Sequence, residues 1–180
     1  MNGVVTVLDK QFELLIPKTL LEEKIKALAD QLNRTYSGIS TPILMIGILN
    51  GSFIFMADLI RQLNFACTVQ FIRIESYAGL ATTGVVKMES DVSLKWKDKH
   101  VIVIEDIVDT GHTLNRFIPV LNSYYPLSVR VCALLFKEEA VEVPVQLDHY
   151  CFAIGKKFVV GYGLDYDGYG RNLPEIYQLK

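Results

Sequence analysis

The chain has 180 residues, of which 51% are hydrophobic and 21% are charged, and its formal net charge is −2. This composition excludes a disordered chain, and the length predicts one domain over residues 1–180 with a sizeable core. Because the net charge is close to zero, there is no global basic field, and no nucleic-acid partner is expected. The N-terminal stretch is neither a signal nor a transit peptide, and no apolar run is long enough to span a bilayer. We therefore expect a soluble cytoplasmic protein that binds no membrane.

Apolar patterning predicts strands that alternate with helices in the first half of the chain. The predicted elements are a short strand over residues 4–8, a helix from a capping box at Thr19 and Glu22 to about Tyr36, a buried strand over Ile43–Leu49, a helix over residues 53–63 with Ser52 as its N-cap, and a β-rich run over residues 66–75. Residues 76–84 are predicted to form a mobile loop. Residues 85–88 and 92–94 are predicted to form a short hairpin.

The second half continues the alternation. Its predicted elements are a central strand over residues 101–107, a helix over residues 113–124 that ends before Pro126, a buried strand over residues 129–136, a shorter strand over residues 150–154 and a fragment over residues 158–160. The stretch after them, G-Y-G-L-D-Y-D-G-Y-G-R-N-L-P, is loop-like. Strands alternating with helices predict an α/β fold with an open, mainly parallel sheet, in which ligands bind at the carboxyl ends of the strands.

The three cysteines, Cys67, Cys132 and Cys151, form no C-x-x-C pair and lie among apolar or β-rich neighbours. They are predicted to be buried, reduced thiols. Reduced thiols suit a reducing compartment, which agrees with a cytoplasmic location.

Three carboxylates follow the apolar half of the central strand, in the stretch V-I-V-I-E-D-I-V-D-T-G-H-T-L. They are Glu105, Asp106 and Asp109. An unpaired carboxylate is costly in a strand interior, whereas at the carboxyl end of a strand it can reach a polar ligand. Neighbouring side chains of a strand point to opposite faces, so Glu105 and Asp106 can serve one ligand only if the strand ends there.

A phosphate-binding loop is predicted directly after these acids. Thr110, Gly111, His112 and Thr113 lead into the next helix, whose free N–H groups and dipole suit a phosphate. Gly111 permits a φ that other residues resist, and the threonines add hydroxyl donors. The acids and the loop together match a ribose 5-phosphate, which has a diol at one end and a phosphate at the other. The alternative is an ordinary βα turn, but two acids, a spacer and a third acid before T-G-x-T form a more specific pattern.

This stretch resembles the phosphoribosyl-diphosphate-binding motif of type I phosphoribosyltransferases. Four further segments, between about residues 43 and 174, resemble the hypoxanthine-guanine branch of that family. They are the loop Leu49-Asn50-Gly51-Ser52, the pair Ser76-Tyr77, Lys137, and K-F-V-V-G-Y-G-L-D-Y from Lys157 with Arg171 beyond it. The resemblance implies an open, mainly parallel twisted sheet flanked by helices, with a small hood formed by the termini at approximately residues 1–18 and 150–180. Family members form dimers or tetramers, so a homodimer or homotetramer is expected.

The resemblance also implies a reaction and its central residues. A 6-oxopurine would be joined to phosphoribosyl diphosphate with release of pyrophosphate, as in purine salvage. Glu105 and Asp106 would bind the ribose hydroxyls, and the loop from Asp109 to Thr113 would bind the 5′-phosphate. Asp109 would act as a general base near N7 of the purine. The alternative for Asp109 is a carboxylate that caps the turn.

The pyrophosphate is expected to bind Leu49, Asn50, Gly51 and Arg171. Family members often have a cis peptide at the position of Leu49 and Asn50, and many have Lys or Arg where this chain has Asn50. Because pyrophosphate is highly anionic and the chain has no lysine cluster to hold it, Mg²⁺ is the implied cofactor. The implied metal ligands are Glu105, Asp106 and Asp165, the last with a water molecule between it and the ion as an alternative to direct contact.

The purine is expected to bind Lys137, Phe158, Val159 and Asp165. Lys137 would donate to the 6-oxo group, the Phe158 ring would stack on the base, and Val159 would present its backbone to the pyrimidine edge. The alternative for Phe158 and Val159 is an ordinary core strand. Ser76 and Tyr77 would lie on a flexible lid that excludes water, or on a plain exposed hairpin loop.

Three rival functions remain open at this point. The first is a phosphoribosyltransferase for xanthine, adenine or a pyrimidine, although Lys137 together with Phe158 favours a 6-oxopurine. The second is a phosphoribosyltransferase-like regulator that binds RNA, which should show a basic face. The third is a phosphate-binding domain without transferase activity.

Overall fold

The computed structural model of the chain describes residues 3–74 and 96–180. Its helices and strands in chain order are β1 (Val4–Val7), β2 (Lys10–Ile16), α1 (Lys18–Thr35), β3 (Ile43–Leu49), α2 (Phe53–Ile60), β4 (Thr68–Arg73), β5 (His100–Val108), α3 (His112–Asn122), β6 (Ser128–Phe136), β7 (His149–Ala153), β8 (Val159–Val160) and β9 (Ile176–Leu179). The larger sheet has the strand order β4-β3-β5-β6-β7, and every neighbouring pair in it is parallel. This confirms the predicted α/β fold with an open parallel sheet.

Helices cover both faces of this parallel sheet, which explains the continuous apolar runs of its central strands. On one face, Met45 of β3 and Ile102 of β5 pack with buried residues of α1 and α2. On the other face, Ile46 and Val103 pack with buried residues of α3 and with Trp96, which is fully buried. The alternation along each strand therefore fills two core layers, and the strands are fixed in position up to the point where their polar residues begin.

A second sheet is built from both ends of the chain, and we call it the terminal sheet. Its strand order is β1-β2-β9-β8, with antiparallel neighbours. Phe12 of β2 is fully buried beneath it and packs with Val7, Val160 and Tyr177. The prediction of a hood at residues 1–18 and 150–180 overlaps with this sheet, but β7 belongs to the parallel sheet, so the C-terminal part of the terminal sheet begins at β8.

Several element boundaries differ from the sequence-based predictions. The capping box is wrong, because α1 begins at Lys18 after Pro17 and no side chain caps it, so Thr19 lies inside the first turn. Ser52 does occupy the N-cap position of α2, but its hydroxyl donates to the Ile48 carbonyl at 2.5 Å instead of capping the helix. The strands β2 and β9 were not predicted. The predicted loop and hairpin over residues 76–94 lie outside the described residues.

Two further predictions concern the whole chain. All three cysteines are free, as predicted, but only Cys132 is buried, while Cys67 and Cys151 are partly exposed. None of the helices within residues 3–74 and 96–180 combines the length and the apolar character needed to cross a membrane.

Candidate active site

The carboxyl ends of β3 and β5 bring two predicted segments into contact. A Cβ atom on Gly51 would lie only 1.4 Å from Oδ2 of Asp106, so the backbone of the loop after β3 lies directly against this carboxylate. Only glycine leaves space for the Asp106 side chain at this position. The two strands are adjacent and parallel, so their carboxyl ends lie at the same edge of the sheet. This edge is where the fold class predicts a ligand site.

Glu105 and Asp106 are two neighbouring carboxylates with unusual electrostatics. Glu105 is buried, and its Oε2 has no hydrogen-bond partner among the described residues. Burial, together with the charge of Asp106, raises the pKa of Glu105 well above its ordinary value. Asp106 is half-buried, its Oδ1 accepts a hydrogen bond from the Ile107 N–H at 2.9 Å, and burial raises its pKa to about 6. The fold therefore holds carboxyl groups whose charges it only partly compensates.

The predicted phosphate loop forms a cradle at the start of α3. Gly111 precedes the helix with a φ of 87°, and a side chain there would also approach the Val143 carbonyl, at 3.1 Å from a Cβ atom. The first N–H groups of α3 have no partner within the helix and are available to a ligand. A cavity of about 70 Å³ here is lined by Glu105, by Ile107 to Gly111, and by Thr113 and Leu114. Its acidic wall and its N–H donors match the two ends of a ribose phosphate.

His112 turns its side chain away from this cradle. Its Nε2 lies 2.9 Å from Oε2 of Glu142, and both side chains are substantially exposed. The Glu142 N–H also donates to the Thr110 carbonyl at 3.0 Å, so the segment after β6 supports the phosphate loop from outside. This geometry supports the interpretation that His112 offers its backbone, and not its imidazole, to a phosphate.

Lys137 and Asp109 form an ion pair that the sequence did not reveal. The Lys137 ammonium lies 2.7 Å from Oδ2 of Asp109, and its side chain is only 8% exposed, whereas that of Asp109 is 47% exposed. Parallel pairing of β5 with β6 places both residues at the same edge, where the Lys137 N–H also donates to the Val108 carbonyl at 2.9 Å. A cationic donor and an anionic acceptor are thus side by side next to the phosphate cradle.

The C-terminal loop adds Asp165 and Arg171 to the same edge. Arg171 pairs with Oδ1 of Asp165 at 2.7 Å and donates to the Gly163 carbonyl, also at 2.7 Å. The Gly163 backbone lies against the Gly51 carbonyl, 2.2 Å from where a Cβ atom of residue 163 would be. Arg171 lowers the pKa of Asp106, while Asp165 raises it, although both effects are smaller than that of burial. Residues from three loops therefore converge at one place.

Tyr162 ties this C-terminal loop to α2, and sequence reasoning missed its partner. The Tyr162 hydroxyl donates to Asp58, which also pairs with Arg61. Burial and this hydrogen bond raise the pKa of Tyr162. The sequence around Tyr162 indicates only a tight turn, through the triplet G-Y-G. In the structure Tyr162 has a φ of 50°, and the glycines on both sides of it also have a positive φ.

The predicted purine-stacking segment divides into a core residue and an exposed ring. Val159 is buried in β8 and pairs with Gln178 of β9. Phe158 is 45% exposed, and its ring packs beside Phe12 and Tyr166 with centroid distances of 6.4 and 5.9 Å. The core-strand alternative therefore holds for the Val159 side chain, while the Phe158 side chain is partly exposed and its stacking on a base stays a prediction.

The loop after β3 contains the expected cis peptide, between Leu49 and Asn50. Oδ1 of Asn50 accepts a hydrogen bond from Nη2 of Arg73 at 3.0 Å. Arg73 was not among the predicted site residues. The remaining predicted residues, Ser76 and Tyr77, lie outside the described residues.

The carboxylate oxygens of this site fit Mg²⁺ only if a bound substrate supplies further oxygen ligands. Across residues 3–74 and 96–180, no three His, Cys, Asp or Glu side chains are grouped to hold an ion by themselves. Mg²⁺ is usually bound by one or two carboxylates and by oxygens of phosphate substrates. The Oε2 atom of Glu105, which has no partner among the described residues, and the Asp106 carboxylate, whose pKa is raised, are hard oxygen donors of that kind, and a cation would compensate their charge.

Replacing Glu105 with Gln is expected to stabilise the ligand-free protein. In the wild type, the ionised Glu105 costs free energy only in the folded state, because burial raises its pKa there. We expect the free energy of unfolding of Glu105→Gln to exceed that of the wild type by about 1–3 kcal/mol at alkaline pH. The difference should shrink as the pH falls through the raised pKa and disappear near the ordinary value of 4.5.

Denaturant unfolding in magnesium-free buffer across this pH range measures the effect of Glu105→Gln. The control is Glu23→Gln, which changes an exposed residue of α1 and should leave the unfolding free energy nearly unchanged. A stabilisation that grows as the pH falls would contradict the assignment of Glu105 as an uncompensated buried acid.

Replacing Gly51 with Ala is expected to destabilise the protein, because the added methyl group would overlap the Asp106 carboxylate. We expect a loss of about 1–3 kcal/mol in unfolding free energy, as for other overpacked sites. Gly155→Ala is the matched control, since no atom lies within 4 Å of the position of its Cβ. Equal stabilities of the two variants in denaturant unfolding would show that Asp106 does not occupy the space beside Gly51.

Comparisons with known proteins agree with this geometry. The sequence model of the phosphoribosyl transferase domain family matches residues 17–167. The hypoxanthine-guanine phosphoribosyltransferase of Aquifex aeolicus is 36% identical over 172 residues, which cover 95% of this chain and 96% of that protein. The hypoxanthine-guanine phosphoribosyltransferase of Streptococcus pneumoniae is 40% identical over 169 residues, which cover 93% of both chains.

A solved structure gives the same result for the fold. The crystal structure of a hypoxanthine-guanine phosphoribosyltransferase from Bacillus anthracis has a TM-score of 0.83 and 38% sequence identity with this chain, and the match covers 93% of this chain and 96% of the other. The fold is therefore the type I phosphoribosyltransferase fold that the resemblance implied. The chain belongs to the phosphoribosyl transferase family and, within it, to the hypoxanthine-guanine phosphoribosyltransferases, which are pentosyltransferase enzymes.

Proposed function

We propose that the enzyme transfers the 5-phosphoribosyl group of phosphoribosyl diphosphate to N9 of hypoxanthine or guanine, forming IMP or GMP and pyrophosphate in purine salvage. The observation that carries this proposal is the ion pair between Lys137 and Asp109 beside the phosphate cradle. It supplies a donor and an acceptor at hydrogen-bonding distance from each other, at the edge of the sheet where β5 and β6 end.

This pair matches one edge of a 6-oxopurine. On that edge the base presents the O6 acceptor next to N7, which can carry a proton. The Lys137 ammonium would donate to O6, while the Asp109 carboxylate would accept the N7 proton. Adenine presents an amino donor in place of O6, which would leave the buried Lys137 facing another donor. A 6-oxopurine is therefore favoured over a 6-aminopurine.

The ribose 5-phosphate would occupy the cavity between Glu105 and the phosphate loop. The carboxylates of Glu105 and Asp106 would accept hydrogen bonds from the two ribose hydroxyls. The 5′-phosphate would accept hydrogen bonds from N–H groups at the start of α3 and from the hydroxyls of Thr110 and Thr113. The cavity of about 70 Å³ and the Oε2 of Glu105, which lacks a partner among the described residues, support this orientation.

Asp109 is proposed to be the general base. As N9 of the purine forms a bond to C1′ of the ribose, the bond from C1′ to the diphosphate oxygen breaks, and the base must lose a proton. Asp109 would hold and then accept that proton at N7, and Lys137 would keep the carboxylate oriented toward the base. The exposed face of the Phe158 ring would stack on the purine, and the Val159 backbone would bind its pyrimidine edge.

The leaving diphosphate would be held by the backbone of Asn50 and Gly51 and by Arg171. Glu105, Asp106 and Asp165 have the hard oxygen donors for Mg²⁺, which when bound would supply positive charge to the diphosphate.

We also propose that the enzyme is a cytoplasmic homodimer or homotetramer that binds no nucleic acid. Its three free cysteines support the reducing location.

A spectrophotometric assay with Mg²⁺ and phosphoribosyl diphosphate tests the proposed function. We expect turnover with hypoxanthine and guanine. We expect little or none with adenine, because its amino group would face the buried Lys137 ammonium. Xanthine is included as the closest competing 6-oxopurine. Turnover restricted to adenine or xanthine would reject the proposed substrate, and no turnover with any base would reject the transferase function.

Replacing Asp109 with Asn tests its role as the base. The amide keeps the size of the side chain but cannot accept the N7 proton, so we expect turnover to fall by about 10²–10⁴-fold. The KM for phosphoribosyl diphosphate should change much less. Asp30→Asn, at a partly exposed position of α1, is the control variant. Equal losses of turnover and of ribose-phosphate affinity in Asp109→Asn would contradict a base role.

A further inference from the structure

Arg73 lies at the edge of the proposed diphosphate site, although no sequence pattern pointed to it. It is the last residue of β4, and it pairs with Leu49, the last residue of β3, in the parallel register of the two strands. The strands therefore end together, and Arg73 lies beside the loop that follows Leu49. Its side chain is exposed and reaches along that loop to Asn50.

The Asn50 side chain orients the Arg73 guanidinium. Oδ1 of Asn50 accepts a hydrogen bond from Nη2 of Arg73 at 3.0 Å. A guanidinium has five N–H donors in a rigid fork, and within residues 3–74 and 96–180 only one of those of Arg73 has a side-chain acceptor, so others can bind an anion that approaches the same loop. Asn50 itself carries no charge, so the positive charge at this loop comes from the Arg73 side chain.

The proposed diphosphate site has more negative than positive charge, so a cation in addition to Arg171 would favour binding of a diphosphate. The site has the carboxylates of Glu105, Asp106 and Asp165 near its two anion-binding loops. Arg171 is already engaged, because its guanidinium pairs with Asp165 and donates to the Gly163 carbonyl. A diphosphate group adds several more negative charges to this environment. A guanidinium on the β4 side of the loop would offset part of that repulsion, and its fork matches phosphate oxygens.

We propose that Arg73 binds the diphosphate group of phosphoribosyl diphosphate and of the released pyrophosphate, and that Asn50 is the positioning residue that holds its guanidinium over the loop. This inference rests on the proposed function for the identity of the substrate. It adds a binding residue from β4 to a site otherwise formed by the loops after β3 and β5 and by the C-terminal loop.

Binding of pyrophosphate in the presence of Mg²⁺, measured by titration calorimetry, tests the inference without requiring turnover. In Arg73→Gln we expect the Kd for pyrophosphate to rise by about tenfold or more, the loss typical of one charge-assisted hydrogen bond. The KM for phosphoribosyl diphosphate should rise in parallel, while the KM for hypoxanthine and the melting temperature should stay unchanged. Arg34→Gln, which removes an exposed arginine from the last turn of α1, is the control and should behave as the wild type.

A charge-relocation variant separates binding from a structural effect. In Asn50→Lys/Arg73→Gln the positive charge moves from β4 to the loop itself, and we expect pyrophosphate affinity to recover most of the loss seen in Arg73→Gln. An Arg73→Gln variant that binds pyrophosphate as tightly as Arg34→Gln would overturn the inference, and so would a wild type that binds no pyrophosphate. If pyrophosphate binding depends on Arg73 but the wild type transfers no ribose phosphate to any base, the inference stands and the proposed function fails.

Discussion

The site depends on one costly arrangement, the burial of carboxyl groups at the end of a core strand. Glu105 is buried, one of its oxygens has no hydrogen-bond partner in the part of the chain that the structure describes, and burial raises the pKa of both Glu105 and Asp106. The strand that carries them is fully buried from Val101 to Ile104, and packing on both faces of the sheet fixes its position. The core thus holds the acids where water cannot solvate them well, and a ligand with hydroxyls or a cation recovers part of that cost when it binds.

Parallel strand pairing explains why the other site residues meet these acids. Strands of a parallel sheet end at the same edge, so this edge carries Leu49, Arg73, Asp106 and Lys137, although they come from four strands or the turns after them. The C-terminal loop joins the edge by close backbone contact of Gly163 with Gly51 and by the hydrogen bond from Tyr162 to Asp58. Small residues permit this approach, and a side chain at Gly51 would push the loop away from the acids.

Contacts made by strand pairing could not be predicted from the sequence, because they join residues that are far apart in the chain. Apolar runs predicted β3, β5 and β6, and the local motif predicted the acids and the phosphate loop, because these signals lie within a few residues of each other. The pairs Lys137–Asp109, Arg73–Asn50 and Tyr162–Asp58 are separated by 28, 23 and 104 residues, so they depend on the register of neighbouring strands or on loop packing. The strands β2 and β9 pair with each other from opposite ends of the chain, and this pairing leaves no local signal in the sequence. The capping box failed because α1 begins at Lys18 with Pro17 at its N-cap, so Thr19 already lies inside the first turn.

The ion pair between Lys137 and Asp109 compensates the buried charge of Lys137 in the protein without ligand. A lysine that is 8% exposed needs a partner, because an unpaired buried charge costs several kcal/mol (of the order of 3–5). In the free enzyme Asp109 is that partner. In the proposed complex O6 of the 6-oxopurine would add a second acceptor for Lys137, which stays beside Asp109, and Asp109 would gain the N7 proton as its donor. Each charge keeps a partner in both states, whereas a base with an amino group at position 6 would leave Lys137 short of an acceptor. In this proposal, discrimination between purines would follow from the cost of placing an amino donor against the buried Lys137 ammonium, and it would require no steric exclusion.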